Sequence, residues 1–407
     1  MNSNEICDTE VLPWLGKTYL EKILSAHENQ PASVISFSKK IGTDKCENFA
    51  SVINLINAEY TTENSKEIKK ISLITKTKTS DELVAEIVEN LNVFERETHV
   101  YVVLLKEFEE MLNSVGISTT FAPRYIYVDE GIIVMENLKE KGYALQDIKS
   151  GLNFQQCLTL INKLAQFHAC SMVLYAKDPD LFRYHINPTI TEEDENPMHI
   201  FYKNQFETCI EICKNNSELH KFLPNLEEIN KNLIIRIANI FKKNKNGINV
   251  LNHGDAWANN FLYKMNTNGS VDEVLMVDYQ EGIFGSPAID LLCFIYSSWS
   301  KETYIKHKDD LIEYYIKKLT ETLETLNYDG VIPTLNDIIE ELKLKRDHGI
   351  VTATCLLPVY MTEHPDLADP TNFIMDSEEA KEIRIKLMSN EKFFDKLKLF
   401  LNGLLEN

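Results

Sequence analysis

The chain has 407 residues, 44% of them hydrophobic, which is enough to bury a large core in one bilobal unit or in two to three domains. Its formal charge of -20 leaves no basic footprint for nucleic acid or anionic lipid, so an anionic ligand has to be drawn in by a local cation cluster or by a metal. Nowhere do about 18 apolar residues run together, and the N-terminus lacks a basic start followed by an apolar core, so a cytoplasmic protein without a membrane span is expected.

In chain order, residues 1–29 read as an N-terminal helical extension. From Ser33 to Thr79 three strand-like segments follow, SVISFSKKIG, NFASVINLINAEYTT and EIKKISLITKTKT, whose alternation predicts a small antiparallel sheet. Ser80 and Asp81 form a plausible helix cap, and the stretch through VFERETHVYVVLLKEFEEML places apolar residues three and four apart. RYIYVDEGIIVMENL reads as a hairpin turned at Asp129-Glu130-Gly131. These parts make a sheet-containing lobe over residues 30–138. Residues 139–407 are read as a mostly helical lobe, interrupted by one polar turn and by the hairpin NFLYKMNTNGSVDEVLMVDY, where Asn268-Gly269 signals the turn. The expectation is an α+β fold of two lobes flanking a cleft. The eight cysteines are scattered, unlike the dense spacing of a small secreted scaffold, and are read as reduced thiols. Cys209 and Cys213 have no second Cys/His pair at zinc spacing and are read as helix-packing residues.

The polar stretch HGDAWANN, His253 to Asn260, holds more short polar side chains than a turn requires. Asp255, Asn260 five residues later, and Asp278 at the end of the apolar strand VLMVD form a set suited to phosphoryl transfer. One carboxylate would orient a hydroxyl and accept its proton, while an amide oxygen and a second carboxylate would hold magnesium, a cation that favours hard oxygen ligands. Asn259 competes with Asn260, and only the spacing from Asp255 selects the latter.

The order H-G-D-x-x-x-x-N, V-D-Y-Q and G-S-P-A-I-D-L-L (Gly285 to Leu292) resembles the ecdysteroid kinase-like (CHK kinase-like) family. That family lies within the aminoglycoside phosphotransferase and choline kinase branch of the protein-kinase-like fold. The similarity extends upstream to Glu47-Asn48-Phe49-Ala50-Ser51 in the phosphate-loop segment, Leu73-Ile74-Thr75-Lys76 in the lysine strand and Phe94-Glu95-Arg96-Glu97 in the glutamate helix. It continues through Val134-Met135-Glu136-Asn137-Leu138 at the hinge and Leu164-Ala165-Gln166-Phe167-His168-Ala169 in the first long helix of the second lobe, so roughly residues 30 to 300 carry it.

This resemblance implies an ATP- and magnesium-dependent kinase of a small hydroxylated acceptor. It makes Asp255 the catalytic base, with Asn260 beside it; Asn260 and Asp278 the magnesium ligands; and Lys76, paired with Glu97, the residue that steadies the nucleotide phosphates. Asn48, Phe49, Ala50, Ser51, Glu136 and Leu138 would complete the nucleotide site. IGTDKCENF departs from the pattern, with Cys46 and Glu47 where a further glycine is expected.

Strand alternation puts Lys76 and Lys78 on one face, and only the family match prefers Lys76. His253 is read as bracing its loop by hydrogen bonding, His168 as a satisfied interior histidine, and Asp290 as a helix-start cap that fixes the loop. The acceptor implied is a lipophilic alcohol such as an ecdysteroid. Choline, ethanolamine, an aminoglycoside or a protein side chain as acceptor, and a catalytically silent nucleotide-binding protein, are the alternatives. Candidate wall residues are Phe201, Tyr202, Phe206, Trp299, Tyr304, Tyr314, Tyr315, Leu356, Leu357, Val359 and Tyr360, most of them expected to be core.

Overall fold

The computed structural model describes residues 15–41, 51–78, 92–193, 196–245, 247–364 and 367–405. They fall into two compact units. One takes the residues through Phe94 together with Pro123–Tyr143; the other takes Glu95–Ala122 and the residues from Ala144 onward.

The first unit is a five-stranded antiparallel sheet, in the order β1-β2-β3-β5-β4, built from β1 (Ala32–Ile41), β2 (Ser51–Thr62), β3 (Ser65–Lys78), β4 (Tyr125–Asp129) and β5 (Ile132–Glu136). Period-two patterning sets its faces: along β2, Asn54, Ile56, Ala58, Tyr60 and Thr62 are buried in alternation. The helix α1 (Lys17–Glu28) lays Leu20, Ile23 and Leu24 on that face, joining Val34, Leu73, Ile126 and Val134 in one apolar cluster. The expected hairpin is present. Asp129 pairs with Ile132 across a two-residue turn in which Gly131 takes φ +70°, a conformation that favours glycine.

The second unit is mostly helical. Its helix Phe154–Lys177 opens with a capping box from Asn153 and Gln156 and packs along the helix Lys301–Thr325. By length and composition Phe154–Lys177 could cross a membrane, but 78% of its apolar window is buried inside the folded protein, as in a core helix. All eleven residues of the helix Ala288–Ser298 are buried. Two short strand pairs interrupt the helices: Val250–Asn252 with Ile283–Gly285, and the hairpin Phe261–Met265 with Val271–Met276, turned at Gly269 with φ +81°. They place the polar stretch at strand ends, where loops can present side chains. Among the described residues the six cysteines are all buried and unbridged; Cys209 and Cys213 lie inside the helix Pro197–Asn215.

Two boundaries differ from the sequence reading. The segment 1–29 is not a separate extension over its described part, because α1 supplies part of the sheet unit's core. The stretch Glu95–Ala122, expected in the sheet lobe, belongs to the helical unit. There Phe108 and Phe121 form an edge-to-face trio with Phe167, ring centroids 5.3–6.3 Å apart. The expected cap at Ser80-Asp81 lies outside the described residues.

Candidate active site

The stretch from His253 is a tight loop leaving the buried strand Val250–Asn252. Gly254 has φ +86°, and a Cβ there would meet the Glu281 carbonyl oxygen at 2.0 Å, so only glycine fits. Asn260 ends a short 3-10 turn, and its Nδ2 donates to both the backbone oxygen and Oδ2 of Asp255, each at 2.9 Å. The five-residue spacing thus closes the loop on itself. Trp257 Nε1 adds a third hydrogen bond, to Asp255 Oδ2 at 3.0 Å, and the Tyr360 hydroxyl donates to Oδ1 at 3.3 Å.

Burial and, after it, the negative charges of Asp278 and Glu281 push the Asp255 carboxyl up to about 7, against partial relief from the Asn260 and Trp257 donors. A carboxyl poised near neutrality suits a general base. Asp278 sits in the left-handed region at φ 68°, ψ 61°, two residues after the strand Val271–Met276, outside the strand's alternation. Glu281 was not singled out in the sequence; its position two residues beyond V-D-Y gave no periodicity to mark it.

These groups fit a magnesium ion. With its nitrogen committed to Asp255, the Asn260 side chain has its amide oxygen, a hard donor, left for a metal, and the negative charges of Asp278 and Glu281 acting on Asp255 favour a cation nearby. Among the described residues no three His, Cys, Asp or Glu side chains gather as a metal cage. Magnesium keeps several waters and relies on substrate phosphates, so an amide and one carboxylate would be enough to hold it.

Beneath the loop lies a second, fully buried aspartate. Asp290 Oδ2 accepts the His253 backbone N–H at 2.7 Å and His168 Nε2 at 3.0 Å, while Oδ1 accepts the Gly254 N–H at 2.9 Å. His168 Nδ1 is bonded in turn to the Tyr315 hydroxyl at 2.8 Å. Burial alone would raise the Asp290 carboxyl, but the bond and charge of His168, the nearby His253 and the Gly254 amide hold it below the ordinary carboxylate range. Asp290 does fix the loop, but through the loop's own amides and not as a cap of its helix, whose N-cap is Pro287. His168 is satisfied in the interior, as expected. His253 Nε2 bonds the Val277 carbonyl at 2.9 Å, tying the loop to the residue before Asp278.

The remaining predicted residues are distributed over both units. In the sheet unit, Lys76 is 3% exposed on β3 whereas Lys78 is exposed, a difference that strand alternation could not show. Ser51 is buried at the start of β2. Glu136 receives the Arg124 backbone N–H at 3.0 Å and pairs with Lys141; Leu138 is buried in the turn after it. Asn48, Phe49, Ala50 and the departure at Cys46-Glu47 lie outside the described residues. In the helical unit, Glu97 is 1% exposed on the helix Val93–His99. Its neighbour Arg96, unassigned from sequence, donates to the carbonyls of Gly282 and Asn187 and so ties this helix to the segment after Asp278. Of the candidate wall residues, Tyr360 and Tyr202 lie near Asp255, while Phe206, Trp299 and Tyr315 are core.

The profile of the ecdysteroid kinase-like family matches residues 45–328, and the chain belongs to that family. Its small-molecule-kinase-like character follows from this membership. No curated protein matches by sequence. Among solved structures, the amicoumacin kinase hAmiN in complex with AMP-PNP, Ca2+ and amicoumacin is 14% identical, with 94% of this chain and 93% of that one covered at a TM-score of 0.42. The Plasmodium vivax ethanolamine kinase is 12% identical, with 89% of this chain and 83% of that one covered at a TM-score of 0.38.

Proposed function

We propose that the protein is an ATP- and magnesium-dependent kinase that transfers the γ-phosphate to a hydroxyl of a small lipophilic alcohol, for which an ecdysteroid is one example. The observation that carries this reading is the Asp255–Asn260 pair: a carboxyl raised to about 7 and held at 2.9 Å by the Asn260 amide nitrogen. Asp255 orients the acceptor hydroxyl and takes its proton as that oxygen bonds to the γ-phosphorus and the bridge bond to ADP breaks. Asn260 and Asp278 are the residues that would hold magnesium, which, when bound, neutralises charge developing on the phosphates. Lys76 is assigned to the phosphates, with Glu97 as its charge partner, and Glu136 and Leu138 to the hinge side of the nucleotide. The intact Asp255, Asn260 and Asp278 weigh against a catalytically silent protein.

The acceptor class rests on the aromatic surroundings of Asp255. Trp257 and Tyr360 stack with ring centroids 3.7 Å apart, and burial of flat apolar surface there is favoured by about 25 cal/mol for each square ångström. Screening hydroxylated metabolites for ATP-dependent mass gain, beside an Asp255→Asn control, tests the reaction. Comparing kcat/KM of a hydroxylated steroid with that of choline and of an aminoglycoside tests the acceptor class. A tenfold or greater preference for a cationic acceptor, about 1.4 kcal/mol in transition-state binding, overturns the lipophilic assignment while leaving the chemistry in place. Asp278→Ala is expected to abolish the magnesium dependence of nucleotide binding; equal ATP affinity in variant and parent, with and without magnesium, removes Asp278 as a ligand.

A further inference from the structure

Both oxygens of the Asp255 carboxylate are engaged by protein donors. Oδ2 takes two of them, Asn260 Nδ2 and Trp257 Nε1, both from its own loop, and these fill that oxygen's two lone-pair directions. A substrate hydroxyl must therefore reach Oδ1, where the hydroxyl of Tyr360, brought in from 105 residues away, already takes one of the two lone-pair directions. That contact is the longest of the three side-chain bonds, 3.3 Å against 2.9 and 3.0 Å. It is also the one whose chemistry copies an acceptor, an O–H directed at the base. The phenol ring lies flat on Trp257, with planes 10° apart, so it covers the indole face beside the reacting carboxylate as well.

We propose that Tyr360 is the acceptor gate of the kinase reading on which this inference rests: its hydroxyl holds the acceptor's place on Asp255 Oδ1, and a bound alcohol displaces it, uncovering the Trp257 face as a platform.

The backbone offers a route for that displacement. Tyr360 ends the short helix Leu357–Tyr360, which directly succeeds a π-helical turn at Thr352–Leu356. A π turn holds one residue more than the ladder around it, and moving that extra residue along the helix rotates each residue it passes by about 100°, so its passage through Leu357–Tyr360 would turn Tyr360. Such a rotation would carry the phenol off Asp255 without unfolding the packed helices behind it.

Water is the smallest competitor for the same place, so the gate has a consequence that needs no known acceptor. With Oδ1 open, Asp255 would take a proton from water, the water oxygen would bond to the γ-phosphorus, and the bridge bond would break to give ADP and phosphate. The Asp255 proton then returns to solvent. The test is phosphate release by the full chain with MgATP and no acceptor. Tyr360→Phe keeps the stack and loses the hydroxyl. It is expected to raise this hydrolysis at least fivefold at unchanged MgATP affinity, and the rise is expected to vanish in the Tyr360→Phe, Asp255→Asn double variant. A residue with only a packing role would leave hydrolysis level or lower it.

Unchanged or reduced hydrolysis in a folded variant that binds MgATP overturns the gate, as does a rise that survives loss of Asp255. Tyr360→Leu, which also lacks the hydroxyl, is held to the same criterion should the phenylalanine variant not fold. A parent protein that binds no MgATP overturns the kinase reading itself and the gate with it, so the two failures are told apart by the binding measurement.

Discussion

Asp255 lies within one loop and Asp290 beneath it, and the two differ in the charges near them. Each receives three side-chain or backbone donors at its carboxylate. Around Asp290 the further neighbours are histidines, and its carboxyl is held low; around Asp255 they are Asp278 and Glu281, and its carboxyl rises to about 7. Hydrogen bonding therefore does not separate the reactive aspartate from the structural one. The sign of the surrounding charge does, which leaves one aspartate as a fixed anchor and the other ready to take a proton near neutral pH.

Removing either carboxylate should break the comparison in different ways. Asp255→Asn is expected to keep the fold and lower turnover about a thousandfold or more, because the amide cannot accept the hydroxyl proton; unchanged turnover in a verified transfer assay rejects the base assignment. Asp290→Asn is expected to lower stability by about 2–4 kcal/mol in urea unfolding, since its one NH2 group would face the amide of either His253 or Gly254 and leave that buried donor unsatisfied, with the carboxylate charge lost as well. A variant as stable as the parent would show that the loop needs no anchor. Gly254→Ala adds a Cβ onto the Glu281 carbonyl at a left-handed φ, so it should displace the loop, at a cost of about 1–3 kcal/mol and roughly a hundredfold in turnover. Full activity in that variant would mean that the loop moves without consequence.

Much of this site was legible because its members are close in sequence. Asp255 and Asn260 share one turn, and Asp278 follows two residues after an apolar strand, so spacing and order along the chain mark them. The hairpins were legible for a similar reason, since Gly131 and Gly269 do take the positive φ that their turns require. The features that escaped depend on partners remote in the chain. Asp290 has the position of a helix-start residue, and nothing local says that its oxygens reach the amides of residues 36 and 37 positions earlier. Tyr360 stood among eleven candidate wall residues with no mark of its bond to Asp255. The stretch Glu95–Ala122 was placed with the sheet because an amphipathic helix shows that it has an apolar face but not what that face packs against.

The smallest expected effect sharpens the comparison most, because it opposes the two aspartates in one measurement. The Asp255 carboxyl titrates at about 7 when folded, against about 4 for an ordinary unfolded aspartate, so between these values the native state keeps a proton that the unfolded state has lost. Stability attributable to Asp255 is therefore present below pH about 4, falls as pH rises towards 7, and is level above it. Asp290 runs the other way: its folded value is depressed, so its contribution is complete above the unfolded value and is lost only as pH falls through the folded one. Urea unfolding without divalent cations, at pH 5 and pH 8, separates the two. Asp255→Asn should gain on the parent between pH 5 and 8 by on the order of 1–2 kcal/mol, part of the limit of about 1.4 kcal/mol per pH unit. Asp290→Asn should be destabilised by the same amount at both. If Asp255→Asn shows no such gain, the base is not held protonated by its burial and acidic neighbours; if Asp290→Asn shifts with pH over this range, the anchor is not the ionised carboxylate that its donors indicate.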